Sequence, residues 1–278
     1  MRWFISVMFL LVLPASAFAA DLDILRGMQT VGPANYYNWS GFYLGGQIGY
    51  GDAGGDFSRA TAPIVAEALR ITDLESQFSP SSWPVLGTAF NHDMMYGGFV
   101  GYNTQWQDVV LGVEGNYNVG KFSLVAPITP IGRITPADSN GIPWTVNFTG
   151  SGSAQDVDYG TLRVRAGYVL GNFLPYAFAG LALGQADLTV SSIGSAEGNA
   201  PTSGPCSIAN TPPCYLITWN KTNSQTSVIY GFTVGGGLDV AVTPHIFVRG
   251  EFEYTQFAPV SDIVLWVTSA RLGAGIKF

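Results

Sequence analysis

From residue 41 onward, apolar and polar side chains alternate with a period of two in eight stretches: 41–51, 94–105, 108–118, 160–170, 174–184, 228–241, 245–255 and 263–278. That period marks strands with two unlike faces. In the first stretch Phe42, Leu44, Ile48 and Tyr50 oppose Tyr43, Gly45, Gln47 and Gly49; in the third, Val109, Leu111, Val113 and Tyr117 oppose Gly112, Glu114, Asn116 and Asn118. In the fourth, Leu162, Val164, Ala166 and Tyr168 oppose Arg163, Arg165 and Gly167, and in the seventh Ile246, Val248, Phe252 and Tyr254 oppose Arg249, Glu251 and Glu253. The last sets Leu272, Ala274, Ile276 and Phe278 against Arg271, Gly273, Gly275 and Lys277. The second and fifth are less regular, because Phe99, Tyr176 and Phe178 fall on the polar face.

The connections sort by length. Long segments at 52–93, 119–159, 185–227 and 256–262 alternate with short ones at Trp106-Gln107, Gly171 to Phe173 and Val242 to Pro244. A soluble β-sandwich has no reason to place its long loops in alternate connections. A membrane barrel does, having short turns on one side of the bilayer and long loops on the other. The predicted fold is therefore all-β: an eight-stranded antiparallel up-and-down transmembrane β-barrel over 41–278, with long extracellular loops and both termini periplasmic.

The N-terminus and the composition fit that reading. Arg2, the apolar stretch Trp3 to Leu13, Pro14 and the small-residue run from Ala15 to Ala20 form a secretory signal peptide over 1–20, with cleavage after Ala19 or Ala20. Residues 21–40 read as a short periplasmic lead, a linker and nothing more, and no further domain is expected after the last strand. The chain is 47% hydrophobic with a mean hydropathy of +0.24, yet no later run approaches the 18 or so apolar residues of a helical span. Only 11% of residues are charged, against about 25% usually. Strands that face lipid on one side and the lumen on the other resolve the conflict, and make outer-membrane lipid the expected partner. A net charge of −7 and a pI near 4.6 argue against nucleic acid as a partner.

Charge placement gives the candidate site. An Arg or Lys facing lipid at the midplane costs about 2–4 kcal/mol, so charges well inside strands belong on the inner face. Glu114, Asp239, Glu251 and Glu253 are expected to meet Arg163, Arg165, Arg249, Arg271 and Lys277 across a lumen that eight strands leave only wide enough for side chains. Unpaired burial of charge is costly, so these groups should pair as a plug, with a narrow ion path as the alternative. Phe42, Tyr96, Tyr102, Tyr117, Tyr168 and Tyr254 lie near strand ends, where interfacial aromatic girdles are expected.

Catalytic chemistry finds no support. His92 and His245 belong to opposite ends of the barrel, and Ser40, Ser227 and Ser269 carry no surrounding motif. Gly235-Gly236-Gly237 lies within a strand and lacks the lysine and helix of a phosphate loop. No cofactor is expected, and two histidines make a metal site improbable. The first long connection holds a helix-compatible run, Ile64 to Arg70, and the third holds Cys206 and Cys214. An exported chain is expected to oxidise such a pair, and Asn210 with Pro212-Pro213 favours the intervening turn. The long loops are also where a surface ligand would bind, though these residues name none.

The sequence resembles the small outer-membrane β-barrel family, the porin-family or OmpA/OmpX-like barrels. The resemblance rests on Asn38-Trp39-Ser40-Gly41-Phe42-Tyr43-Leu44-Gly45-Gly46, Gly97-Gly98-Phe99-Val100-Gly101-Tyr102-Asn103 and Arg163-Val164-Arg165-Ala166-Gly167-Tyr168. Gly235-Gly236-Gly237 and a closing strand ending in Phe278 extend it over about 41–278, with the long loops departing from compact members. The resemblance implies that Phe278 is the terminal aromatic signal read by the outer-membrane assembly machinery. It further implies a non-enzymatic envelope protein with surface-exposed loops; a narrow porin and a loop-based receptor or adhesin are the alternatives.

Overall fold

The computed structural model of the chain describes residues 37–199 and 214–278. The expected signal peptide, the expected lead up to residue 36 and Cys206 lie outside the described residues. The strands are β1 (Gly41–Asp56), β2 (Thr88–Trp106), β3 (Val109–Gly120), β4 (Ser123–Val125), β5 (Ile131–Ala137), β6 (Pro143–Tyr168), β7 (Phe173–Asn199), β8 (Cys214–Ala241), β9 (Ile246–Phe257) and β10 (Val264–Lys277). Two short helices, α1 (Ala62–Leu69) and α2 (Asp73–Phe78), lie between β1 and β2.

Eight of these strands close a ring. β1, β2 and β3 pair in order, β3 pairs β6, the chain continues through β7, β8, β9 and β10, and β10 returns to β1, every pair antiparallel. β4 and β5 pair only with the outer part of β6. Closure removes the sheet edges within the barrel, as a chain crossing hydrocarbon requires.

Above the barrel the architecture differs from the expected loops. β6, β7 and β8 are 26, 27 and 28 residues long, where a tilted strand needs only about 9–11 to cross a bilayer. The stretches expected as loops at 119–159 and 185–227 are thus largely strand, including the unanticipated β4 and β5. In β8 the ladder persists while the alternation fades, Asn220 to Thr226 being polar at every position and exposed, whereas the outer halves of β6 and β7 keep an alternation, with Trp144, Val146, Phe148, Leu188 and Val190 buried at alternate positions. Periodicity reports unlike faces, not hydrogen bonding, so a strand with two similar faces leaves no such trace.

The connection 256–262 is likewise not a long loop. β9 and β10 meet in a tight turn, with Val260 bridging Ile263 and both Ser261 (φ 52°) and Asp262 (φ 60°) left-handed. That pattern suits a two-residue type I′ hairpin. In the first connection, Ile64, Val65 and Leu69 of α1 and Leu74 of α2 are buried. Thr72 caps α2, its hydroxyl accepting from Glu75 N at 3.3 Å. These helices fold over the mouth of the barrel and form one apolar cluster with Ala53, Phe57, Met95, Phe122, Leu124, Phe257, Leu265 and Val267 of its upper inner wall.

The outer wall is apolar. Leu44, Ile48, Val100, Leu111, Val113, Leu162, Val164, Leu181, Phe252 and Leu272 are all exposed there. Phe42, Tyr102, Trp106, Tyr168, Phe173 and Phe278 ring the end with short turns, and Tyr50, Tyr96, Tyr117 and Tyr230 ring the opposite end. Two aromatic belts bounding an aliphatic band are the exterior of a membrane barrel.

Candidate functional site

The lumen is filled in layers. At the short-turn end, Trp39, Val110, Val169, Leu174, Ala241 and Phe247 form an apolar floor, with Tyr37 packed against it. Residues 37–40 are therefore a stopper and not only a linker. Trp39 N donates to Gln105 Oε1 at 2.7 Å and Gln105 N donates to Ser40 Oγ at 2.9 Å, which fixes the lead against the end of β2.

Above the floor lies the charged layer. Glu114 (β3), Arg163 and Arg165 (β6), Asp239 (β8), Arg249, Glu251 and Glu253 (β9) and Arg271 (β10) all face inward and are at most 5% exposed. Arg163 is the hub. Its Nε donates to Glu114 Oε1 at 3.0 Å, its Nη1 to Glu251 Oε1 and Glu253 Oε2 at 2.8 Å each, and its Nη2 to Glu251 Oε2 at 2.7 Å and also to Glu114. Arg165 Nη2 donates to Asp239 Oδ2 at 2.6 Å, and Arg249 Nε to Asp239 Oδ1 at 2.9 Å. Arg249 also pairs with Glu114 at 2.9 Å. Arg271 Nη2 donates to Glu253 Oε2 at 2.7 Å and to Glu251. Four carboxylates and four guanidiniums form one connected, neutral set.

Aromatic side chains complete it. The Tyr43 hydroxyl donates to Glu114 Oε2 and the Tyr176 hydroxyl to Glu251 Oε2, each at 2.7 Å, and the Tyr159 hydroxyl donates to Glu253 Oε1 at 3.2 Å. Arg163 lies 4.1 Å from the Phe178 ring centre, Arg165 3.8 Å from that of Tyr176 and Arg249 4.1 Å from that of Phe99. The three residues that break the alternation, Phe99, Tyr176 and Phe178, are therefore the faces on which the guanidiniums stack. Each lies directly across the ladder from a glycine: Phe99 from Gly45, Tyr176 from Gly237 and Phe178 from Gly235. A Cβ on Gly45 would fall 2.4 Å from Phe99 Cζ, and one on Gly235 2.5 Å from Phe178 Cζ, so the rings lie flat only because the opposite residue has no side chain.

Lys277 does not join this set, and its expected place in the lumen network is corrected. It lies on the inner-facing parity of β10 but at the short-turn end, where its Nζ donates to Ser40 O at 3.0 Å and sits 5.4 Å from the Tyr37 ring centre. Parity fixes the face of a residue, and its height along the strand decides which neighbours it meets.

A polar layer follows, in which Gln47 Nε2 donates to Asn116 Oδ1 at 2.9 Å and to Asn118 Oδ1 at 2.7 Å, and Thr255 donates to Thr233 at 3.2 Å. The apolar cluster beneath α1 and α2 closes the top. Sequence reading missed Tyr43, Tyr159, Gln47 and Trp39 as parts of the site. A signal for the first existed: an aromatic on the polar face opposite a glycine, as Tyr43 is opposite Gly101.

The other candidates lie apart. His92 is on the outer wall, its Nδ1 3.5 Å from Asp52 Oδ1 and its ring stacked on Tyr50. His245 lies in the turn between β8 and β9. Among the described residues no group of three or more His, Cys, Asp or Glu is arranged to hold a metal ion. The geometry of the cysteine pair lies outside the described residues.

A closed ring with an apolar exterior, two aromatic belts and, between those belts, charges confined to a packed interior defines a transmembrane β-barrel. The chain belongs to the outer-membrane β-barrel family, whose description is outer membrane protein beta-barrel domain and which matches residues 5–278. It is 27% identical over 274 residues to the 25 kDa outer-membrane immunogenic protein of Brucella ovis, covering 97% of this chain and 94% of that protein. It is also 27% identical to the 22 kDa outer membrane protein of Rhizobium leguminosarum bv. viciae, over 87% of this chain and 79% of the relative. Among solved structures, Neisserial surface protein A is similar at 15% identity with a TM-score of 0.34, covering 86% of this chain and 98% of that one. The N-terminal β-barrel domain of Pseudomonas aeruginosa OprF is similar at 13% identity and a TM-score of 0.32, covering 84% and 97%. The protein resides in the outer membrane.

Proposed function

We propose that this protein is a sealed, non-enzymatic barrel that contributes to envelope integrity and carries a projecting sheet at the cell surface. One observation supports this reading above the others: the lumen is occupied through its height by an apolar floor, a neutral ion-pair layer, a polar layer and an apolar cap. A solute path needs a continuous hydrated route, and a porin of this kind arises with many more strands. We place the short turns and both termini in the periplasm and the long extensions outside, as the alternating connection lengths favour. The outer aromatic belts then contact lipid, and Phe278 is the residue offered to the assembly machinery.

The test is solute permeability. Liposomes carrying the refolded protein should swell in small sugars no faster than empty liposomes. Swelling at the rate of a general porin would overturn the sealed reading in favour of transport.

A further inference from the structure

β8 pairs with β7 along its whole length, from Cys214 to Val240, but with β9 only from Gly231 to Ala241. Just above, Ala258 N donates to Tyr230 O, and the chain then enters the β9–β10 turn, whose Ser261 side chain reaches Gln225. Among the described residues, the backbone of β8 from Leu216 to Val228 therefore has no strand on its outer side. Unpaired N–H and C=O groups in a row are a template for another strand. The usual protections are absent, since this stretch has no proline and its one lysine, Lys221, is held 2.8 Å from Glu67 of α1. α1 packs on a face of the sheet through Ile64, Val65 and Leu69, in one cluster with Leu188, Val190 and Trp219, while Asn220 to Thr226 of β8 remain exposed.

A second feature adjoins the edge. A cavity of about 170 Å³ lies between α1, β7, β8 and the β9–β10 turn. Ala60, Pro63, Ile64, Leu188 and Val190 give it an apolar lining, and Asn223, Gln225 and Ser261 give it a polar rim. Gln225 Nε2 donates to Ser261 Oγ at 2.6 Å, which holds the turn beside β8. Strand addition draws affinity from backbone hydrogen bonds and selectivity from pockets that accept alternate side chains, and the two occur here together.

Charge sets the kind of partner. The four carboxylates and four guanidiniums of the lumen cancel, and Asp108 and Lys277 cancel at the short-turn end. The remaining charges of residues 41–278, twelve acidic and five basic, all belong to the end that bears the extensions. At the edge Glu67 and Lys221 cancel as a pair, leaving Asp187, which accepts from Thr226, and Asp262, next to Ser261, against Arg59, next to Ala60 of the cleft. Such a field draws in cationic partners.

We propose that the outer edge of β8 binds an extended basic polypeptide segment as an added strand, one of whose aliphatic side chains enters the adjoining cleft. This rests on the barrel acting as a scaffold for the projecting sheet, but not on the lumen being closed. The probe is a fluorescein-labelled synthetic peptide of alternating Lys and Val, titrated by anisotropy onto the full chain refolded in detergent micelles. Saturable binding is expected. It should weaken about tenfold or more when alternate peptide nitrogens are N-methylated, which removes ladder donors and leaves the protein untouched. Asn223→Trp, which obstructs the cleft, should weaken it similarly, with heat-modifiable gel migration reporting that the barrel is intact. A Glu–Val peptide should not bind. Absence of saturable binding by the Lys–Val peptide, or equal binding by its N-methylated form, would overturn the proposal. A barrel that swells liposomes yet binds the peptide would sink the sealed reading alone, and a sealed barrel that ignores the peptide would sink this one alone.

Discussion

Arg163 illustrates what one residue does in a barrel too narrow for water to share. It is 1% exposed and bonded to three carboxylates on two strands, Glu114, Glu251 and Glu253. Breaking a buried set by removing one partner typically costs about 3–5 kcal/mol, because the groups left behind keep their burial and lose their compensation. Arg163→Met should therefore lower stability by about that much in urea unfolding followed by tryptophan fluorescence, and Glu114→Gln should act in the same direction. Unfolding midpoints equal to the parent's would show that the network contributes nothing. Gly45→Val makes a separate steric test: its Cβ would lie 2.4 Å from Phe99 Cζ and 2.3 Å from Ala274 O. The variant should fail to give the compact, heat-modifiable form on gels, whereas Gly46→Val, facing outward with only Gly97 O at 3.9 Å, should fold. The inward position of the eight charged residues was legible from strand parity together with the cost of facing lipid. Their partners were not, because spacing along one strand says nothing of reach across the lumen, as Lys277 shows.

Among the elements, the parts within the bilayer were the legible ones, since lipid outside and packed side chains inside impose opposite demands on alternate residues. The outer part of β8 escaped notice because Asn220 to Thr226 is polar and exposed on both faces, whereas the outer halves of β6 and β7, with Trp144, Val146, Phe148, Leu188 and Val190 buried on one face, carry an alternation that the sequence reading passed over. There, local chemistry decides conformation. Asp138, beyond the end of β5, accepts from Asn140 N at 2.8 Å and Ile142 N at 3.0 Å through Oδ1, and from Trp144 Nε1 at 3.0 Å through Oδ2. Burial alone would raise its pKa, but these three donors hold its carboxyl below the usual carboxylate range. A depressed folded value means that the contribution is fully present above the ordinary value near 3.8 and is lost as pH falls through the folded one. Protease nicking within 137–143 should thus stay unchanged from neutral pH down to about 4 and rise only in stronger acid. Asp138→Asn should raise nicking at neutral pH, its looser hairpin reflecting a loss of about 1–3 kcal/mol. Nicking that rises between pH 7 and 5 would contradict the assignment. Further out, Cys206 and Cys214 are expected to form a disulfide in the exported protein, which mass spectrometry of unreduced peptides would reveal as a single linked species; two free thiols would refute it.

At the scale of the molecule, charge and hydrophobicity are segregated: neutral where the chain is buried, apolar where it meets lipid, acidic where it projects. Outer-membrane residence follows from the family and the exterior, and the family likeness was readable in the motifs around Trp39, Phe99, Arg163 and Phe278. The stopper formed by residues 37–40 was hidden because an apolar pair in a short lead has no period to betray it. Deletion of Phe278 should slow insertion and leave the chain protease-sensitive in the envelope fraction; unaltered assembly would remove its proposed role. The central claim, a lumen closed by its own side chains, is tested most directly by planar-bilayer conductance of the refolded protein, with Arg163→Met and Glu114→Gln beside it. The account predicts no resolvable steps for the parent, and destabilised variants without defined ion preference. Steady unitary conductance in the parent, with ion selectivity shifted by those substitutions and thermal unfolding unchanged, would contradict it and mark the charged layer as the wall of a channel.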